Sequence, residues 1–242
     1  MIREQSNSRY KRMISYIVCI AFLATIAMPF VSMTAEAGAP SVAYTANFAS
    51  AGGLALTPEG NWLNDPVTVT GGVTITRLDL SLGITHASPA DLQIWLASPA
   101  GAWINIAWAP WGGPRQTFQL NNFNGQNSLG VWQIWIVDGA VNGITGKEDY
   151  CTLGFVYSLS SNIATPAIGA ALSGNYLVST TATSATSCRL FVDDQWVSDC
   201  TYNAVTTRWE YTLTTPAFPD GAHTVTVLAR DFAGNEVADG HA

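Results

Sequence analysis

From Val42 to about Tyr157 the chain reads as short runs in which apolar and polar residues alternate, separated by Gly, Asn and Pro. Leu78, Leu80, Leu82 and Ile84 alternate with Asp79, Ser81 and Gly83; Leu92, Ile94 and Leu96 alternate with Gln93, Trp95 and Ala97; Trp132, Ile134 and Ile136 alternate with Gln133, Trp135 and Val137. A period of two sends successive side chains to opposite faces, so each run predicts a half-buried antiparallel strand. A polar stretch from Ser158 to Pro166 interrupts the pattern, which resumes at Cys188, Leu190 and Val192 and again at Val225, Val227 and Ala229. Neither half shows a helical period long enough for a βαβ unit. An all-β protein of two sandwiches, divided near Thr165 and Pro166, fits best.

Composition agrees with this and narrows the partners. Of 242 residues, 48% are hydrophobic and 11% charged, a balance that folds. The net charge is −7, and Arg3, Arg9, Lys11 and Arg12 hold four of the ten basic residues, which argues against nucleic acid as a partner. Lys11 and Arg12 lead into an apolar segment, Met13 to Val31, followed by Ala35-Glu36-Ala37 before Gly38. This is the layout of a secretory signal peptide over residues 1–37. An uncleaved anchor is the rival reading, which Pro29 and the small-residue cleavage pattern disfavour. Cys19 sits inside the apolar region, away from the cleavage site. The mature protein is expected to be secreted or at the cell surface, with no membrane contact once the leader is removed.

Two ordered motifs carry a family resemblance. Ile84-Thr85-His86, followed by Ala90-Asp91-Leu92-Gln93-Ile94-Trp95-Leu96-Ala97-Ser98-Pro99-Ala100-Gly101, resembles the signature of the P domain (P/Homo B domain) found behind the catalytic domain of furin- and kexin-like proteases. Leu129-Gly130-Val131-Trp132-Gln133-Ile134-Trp135-Ile136-Val137-Asp138 resembles its second signature, with Leu153 to Tyr157 as the last strand. The resemblance covers about residues 41 to 160. It implies a jelly-roll-like β-sandwich that, in the family, packs on a subtilisin-type protease and supports its folding, stability and calcium or pH response. The pattern departs between Asn142 and Cys151, where a longer segment containing Gly146-Lys147-Glu148-Asp149 replaces the family's tight glycine turn.

Residues 166–242 are similar to bacterial Ig-like modules. The carriers are Leu190-Phe191-Val192-Asp193-Asp194-Gln195-Trp196-Val197 and Asp220-Gly221-Ala222-His223-Thr224-Val225-Thr226-Val227-Leu228-Ala229-Arg230-Asp231, with Gly234-Asn235. In that family a final strand follows the Gly-Asn turn, whereas here only Glu236 to Ala242 remain, with Val237 the one strongly apolar side chain. The expected layout is a signal peptide at 1–37, a P/Homo B-like domain at 38–160, a linker at 161–166, and a smaller, incomplete Ig-like sandwich at 167–242 that lacks its last strand.

The protease itself is absent from this sequence. A Ser-His-Asp triad needs a histidine base, and the three candidates, His86, His223 and His241, lack an accompanying Gly-x-Ser-x-Gly elbow. The reading is therefore a non-catalytic secreted protein that binds a ligand or serves a protease as an accessory. A detached C-terminal part of a subtilisin-like serine endopeptidase and an adhesive module of a larger surface protein stand as alternatives. The candidate partners are a subtilisin-like protease, a glycan or a surface protein.

Five tryptophans are candidates for binding. Trp95 and Trp135 occupy outward positions of strands whose inward faces are already filled, which suits either a flat platform for a sugar or partner, or burial under the Ig-like module or a crossing loop. Trp103, Trp108 and Trp111 fall in a Gly- and Pro-rich segment that either stacks on a ligand or caps the sandwich. Asp91 and Asp138 lie beside turns and suit backbone capping, with calcium the competing role; no local Asp-x-Asp-x-Asp-Gly run supplies the six to eight oxygens calcium takes, and no cofactor is assigned. Cys188 and Cys200 stand directly opposite in a hairpin with a three-residue turn, and in an exported protein they are expected to form a disulfide. Cys151 shares the parity of Leu153, Phe155 and Tyr157 and so is expected in the core, or else as a reactive or intermolecular thiol.

Overall fold

The computed structural model describes residues 40–242, except 58–59 and 109–112. The expected leader, with Cys19, lies outside the described residues, as does Trp111. Sixteen strands follow one another among the described residues: β1 (Ser41–Ala49), β2 (Leu54–Leu56), β3 (Trp62–Val69), β4 (Ile75–His86), β5 (Leu92–Ala97), β6 (Trp103–Ile106), β7 (Arg115–Leu120), β8 (Gly130–Asp138), β9 (Gly146–Thr165), β10 (Asn175–Thr183), β11 (Ser187–Val192), β12 (Gln195–Asp199), β13 (Thr201–Asn203), β14 (Arg208–Thr214), β15 (Val225–Arg230) and β16 (Glu236–His241). No helix among them is long and apolar enough to cross a membrane.

All strand pairs are antiparallel, and the organising element is β9, 20 residues long. Its first part pairs with β4 on one edge (Ile75↔Tyr157, Leu80↔Leu153) and with β1 and β2 on the other. Its last part pairs with β10 (Thr183↔Ser160, Thr180↔Ile163). Ser160 has Ser41 as its other partner, so β10 shares the edge that β4 occupies, and the two lie end to end. The Thr74 N–H donates to Ser184 Oγ at 3.3 Å across that junction.

Parity explains how one strand serves two cores. Cys151, Leu153, Phe155, Tyr157, Leu159, Ser161 and Ile163 are all buried, an unbroken run of odd positions on one face. The first four join a core closed by the sheet β3-β8-β5-β6, which contributes Val67, Ile94, Leu96, Trp132 and Ile134. Leu159 and Ile163 join a second core closed by the sheet β12-β11-β15-β16, with Cys188, Leu190 and Val227. The two sandwiches therefore sit side by side on the same face of a shared strand.

Two expectations are corrected. Residues 161–165, read as a linker, are the end of β9, because the polar side chains there either face outward or are satisfied inside: Ser161 is buried and its hydroxyl donates to the Val227 carbonyl at 3.2 Å. The last strand of the Ig-like sandwich, read as missing, is β16, which pairs with β15 from Arg230↔Glu236 to Val225↔His241. An edge strand needs a backbone ladder more than an apolar sequence, and Val237, nearly fully buried, is its single anchor in the core.

The two sandwiches also interlock through the turn after β15. Tyr157 Oη donates to Asp231 Oδ2 at 2.6 Å, and Asn235 Nδ2 reaches both groups, at 3.2 and 2.9 Å. Burial alone would raise the Asp231 carboxyl, but these bonds, with those from the Asn235 and Ala233 N–H groups, hold it below its ordinary value. Phe232 then stacks on Phe48 of β1, its ring so close to Gly71 that a Cβ there would stand 2.1 Å from it.

Candidate functional site

The sheet β3-β8-β5-β6 turns one face to the core and the other outward. Because Leu92, Ile94, Leu96, Trp132, Ile134 and Ile136 point in, Gln93, Trp95, Gln133 and Trp135 must point out. Register then decides which outward residues meet. Trp135 lies opposite Trp95, flanked by Asn64 on β3 and Asn105 on β6, so a single row crosses all four strands. In the next row Gln133 lies opposite Ala97, and Ala97 opposite Trp103.

The indoles form a connected surface. Trp103 and Trp135 have ring centroids 6.2 Å apart, tilted by 33°. The Trp135 Nε1–H donates to Gln133 Oε1 at 3.1 Å, which orients the ring, and Asn105 Nδ2 donates to the Ile94 carbonyl at 3.2 Å. Trp95 and Trp135 are half-buried and belong to neither core, while Trp103 is 53% exposed. Among the described residues no second layer of strands packs over this face. Trp62, opposite Val137 and 49% exposed, extends the surface at its β3 edge. Sequence reading missed it, although the alternation of Trp62, Asn64 and Pro66 with buried Asp65 and Val67 carries the signal.

The other candidates separate from this face. Trp108 packs against the first core beside Phe118, ring centroids 6.2 Å apart, with its Nε1 buried and unpartnered. Asp91 and Asp138 meet at one corner of the sheet but are engaged by donors there. The Ala140 N–H donates to Asp138 Oδ1 at 3.1 Å, and Asn142 Nδ2 to Asp91 Oδ2 at 3.0 Å. His86 is buried against Asp138, with 3.2 Å between Nε2 and Oδ2; its Nδ1 accepts from the Ser88 N–H. No group of three or more His, Cys, Asp or Glu side chains gathers for a metal among the described residues.

The hairpin of β11 and β12 turns on Asp193 and Asp194, both at positive φ, so the turn has two residues rather than three. A bulge at Val197 restores the register, with Arg189 opposite Asp199, and the Cys200 N–H donates to the Cys188 carbonyl at 2.8 Å. Both thiols are buried and free, and burial pushes each above its ordinary value, Cys200 to about 11. Cys151 is a buried free thiol of the first core.

A buried carboxyl pair escaped the sequence reading altogether. Glu148, in β9 between Leu54 and Ile84, is fully buried with no hydrogen-bond partner on either carboxyl oxygen; Asp65 of β3 is buried near it with one oxygen unpartnered. Burial, then the Asp65 charge, pushes Glu148 up to about 7, and burial raises Asp65 as well. The register shift between Gly83 and Ile84 turns Glu148 inward, and strand alternation counted back from Cys151 puts it outward.

Comparison with known proteins identifies the two sandwiches. Residues 75–148 match the family of the proprotein convertase P-domain, and residues 160–227 match the bacterial Ig domain, in the order the motifs indicate. Both matched stretches end or begin inside β9. No curated protein matches the chain. Among solved structures, a serine protease of Aeromonas sobria in complex with its chaperone is 19% identical over 49% of this chain and 27% of its own, at a TM-score of 0.40. FlhE is 12% identical over 47% of this chain and 96% of its own, at 0.38, and a membrane-anchored protein of Corynebacterium diphtheriae is 9% identical over 83% and 57%, at 0.27. This chain thus spans about a quarter of the Aeromonas protease's length.

Proposed function

We propose that this chain is a non-catalytic exported binding protein, in which the P domain presents its tryptophan face while the Ig domain is clamped to it through the shared strand β9. The observation that carries the reading is the group of indoles on the outer face of β3-β8-β5-β6, with Trp95 and Trp135 half-buried beside the exposed Trp103 and no strand packed over them among the described residues. Large aromatic side chains gathered on an uncovered face mark a contact surface, since an isolated fold gains nothing by exposing them. The histidines are in keeping with the non-catalytic reading: both ring nitrogens are engaged in His86, by Asp138 and the Ser88 N–H, and in His223, by Asp193 and the Pro219 carbonyl, which leaves neither a free nitrogen to take a proton from a serine.

Two measurements test it. The purified protein should remain unlabelled by a serine-hydrolase probe, and a defined labelled serine overturns the reading. The double variant W95A/W135A should stay folded, each substitution losing well under the about 3–5 kcal/mol that Trp→Ala costs in a core. A loss in that range makes the tryptophans core residues and removes the binding face. The P-domain match supports a second reading, service to a subtilisin-like protease, which predicts co-purification with such an enzyme and altered protease stability when the two are mixed.

A further inference from the structure

We propose that the outer face of the sheet β3-β8-β5-β6 binds a neutral, extended polysaccharide, with the sugar rings stacked on Trp95, Trp103 and Trp135. The inference rests on the proposed function above and names the ligand class of the same face.

Charge is the first argument. The protein carries a net charge of −7, yet none of the outward positions on these four strands holds an ionisable side chain. Beside the indoles stand the amides Asn64, Gln93, Asn105 and Gln133, with small or aliphatic residues at the remaining outward positions. A nucleic acid or an anionic membrane surface needs basic residues, and a charged peptide needs opposite charges for registry. A face of indoles and amides offers stacking and paired donors and acceptors with no ionic contribution. Those are the needs of a neutral sugar, whose C–H faces are apolar and whose hydroxyls both donate and accept.

Geometry is the second argument. Neighbouring strands lie about 4.8 Å apart, so the row Asn64, Trp135, Trp95, Asn105 spans roughly 14 Å, the length of about three pyranose rings. The platform is built before any ligand arrives. Trp135 is oriented by Gln133 and leans on Trp103, while Asn105 is held by the Ile94 carbonyl, so little side-chain freedom remains to be lost on binding. A shallow sheet face also suits a flat, ribbon-like chain better than the compact end of a short branched glycan.

The test uses the mature protein and defined probes: insoluble cellulose and chitin for sedimentation, soluble xylan and hydroxyethylcellulose in affinity gels, and cellohexaose and chitohexaose for titration of tryptophan fluorescence. Retention on at least one neutral polymer is expected, with a fluorescence change that saturates. W135A and W95F/W135F should each weaken binding about tenfold or more, whereas Y202A, on an exposed tyrosine of the Ig domain, should leave it unchanged. The wild-type titration needs no variant and decides the question even where W135A fails to fold. Absence of binding to every neutral probe overturns the inference; binding undiminished in both W135A and W95F/W135F also overturns it, because the sugar then lies off these indoles. Where no neutral probe binds and W95A/W135A stays folded, the binding face stands and only its ligand class falls; where that variant unfolds, both fall.

Discussion

Replacing Glu148 by glutamine should make this protein more stable at pH 8 and remove much of its dependence on pH. In the native state Glu148 lies fully buried near Asp65, and no hydrogen bond satisfies its carboxyl oxygens. A proton held between the two groups turns two repelling acceptors into an acid–carboxylate hydrogen bond. Burial and the Asp65 charge accordingly raise Glu148 from 4.5 to about 7. Between those values the folded chain binds more protons than the unfolded one, so stability falls as pH rises through the window and is lowest above it. At about 1.4 kcal/mol per pH unit the loss comes to about 3 kcal/mol, which lowers Tm by roughly 6–12 °C in a protein of this size. The side-chain amide introduced by E148Q would supply the donor permanently and carry no charge. Urea unfolding of both proteins at pH 4.5, 6 and 8 isolates the effect of the pair, because titrating groups other than Glu148 and its neighbour Asp65 cancel in the difference. The gain in E148Q should grow from little at pH 4.5 to about 3 kcal/mol at pH 8. A difference independent of pH would refute the account, as would a loss of stability at pH 8.

Three further outcomes follow from contacts elsewhere. Cys188 and Cys200, adjacent across the hairpin, should pair when the protein matures in an oxidising compartment; non-reducing digestion should yield the linked peptides, and Cys188 recovered fully alkylated without reductant would sink this. Y157F deletes a buried 2.6 Å donor to Asp231 at the junction of the two cores and should cost about 1–3 kcal/mol in unfolding experiments, with hydrogen exchange accelerating in β15 and β16; an unchanged midpoint would count against the clamp. His223 should titrate above its ordinary value because Asp193 accepts from one nitrogen and the Pro219 carbonyl from the other. Imidazole resonances followed by NMR should show that midpoint dropping in D193A, and equal midpoints in the two proteins would contradict it.

The runs at 78–84, 92–96, 132–136, 188–192 and 225–229 all appear as strands with the inward residues that alternation assigns. The same counting places Trp95 and Trp135 outward and Cys151 inward. Period two is a property of the extended backbone itself, so it survives into the sequence wherever a strand has one wet and one dry face. Family likeness adds the order of the two modules and says little about how they join.

Pairing determined the rest. Ser158 to Pro166 looks like a linker because its polar residues resemble loop composition, yet neighbouring strands on both edges draw most of it into β9 and fuse the two sandwiches. Glu236 to His241 carries one strong apolar residue, and it is a strand because β15 offers an unpaired backbone edge. Glu148 faces inward because one register shift reverses the parity counted from Cys151, and Trp103 joins Trp135 because β6 and β8 flank the same strand. Alternation is written locally, residue by residue, and the sequence determined it alone; register, bulges and cross-strand neighbours depend on partners distant in the chain, and only the assembled sheets decide them.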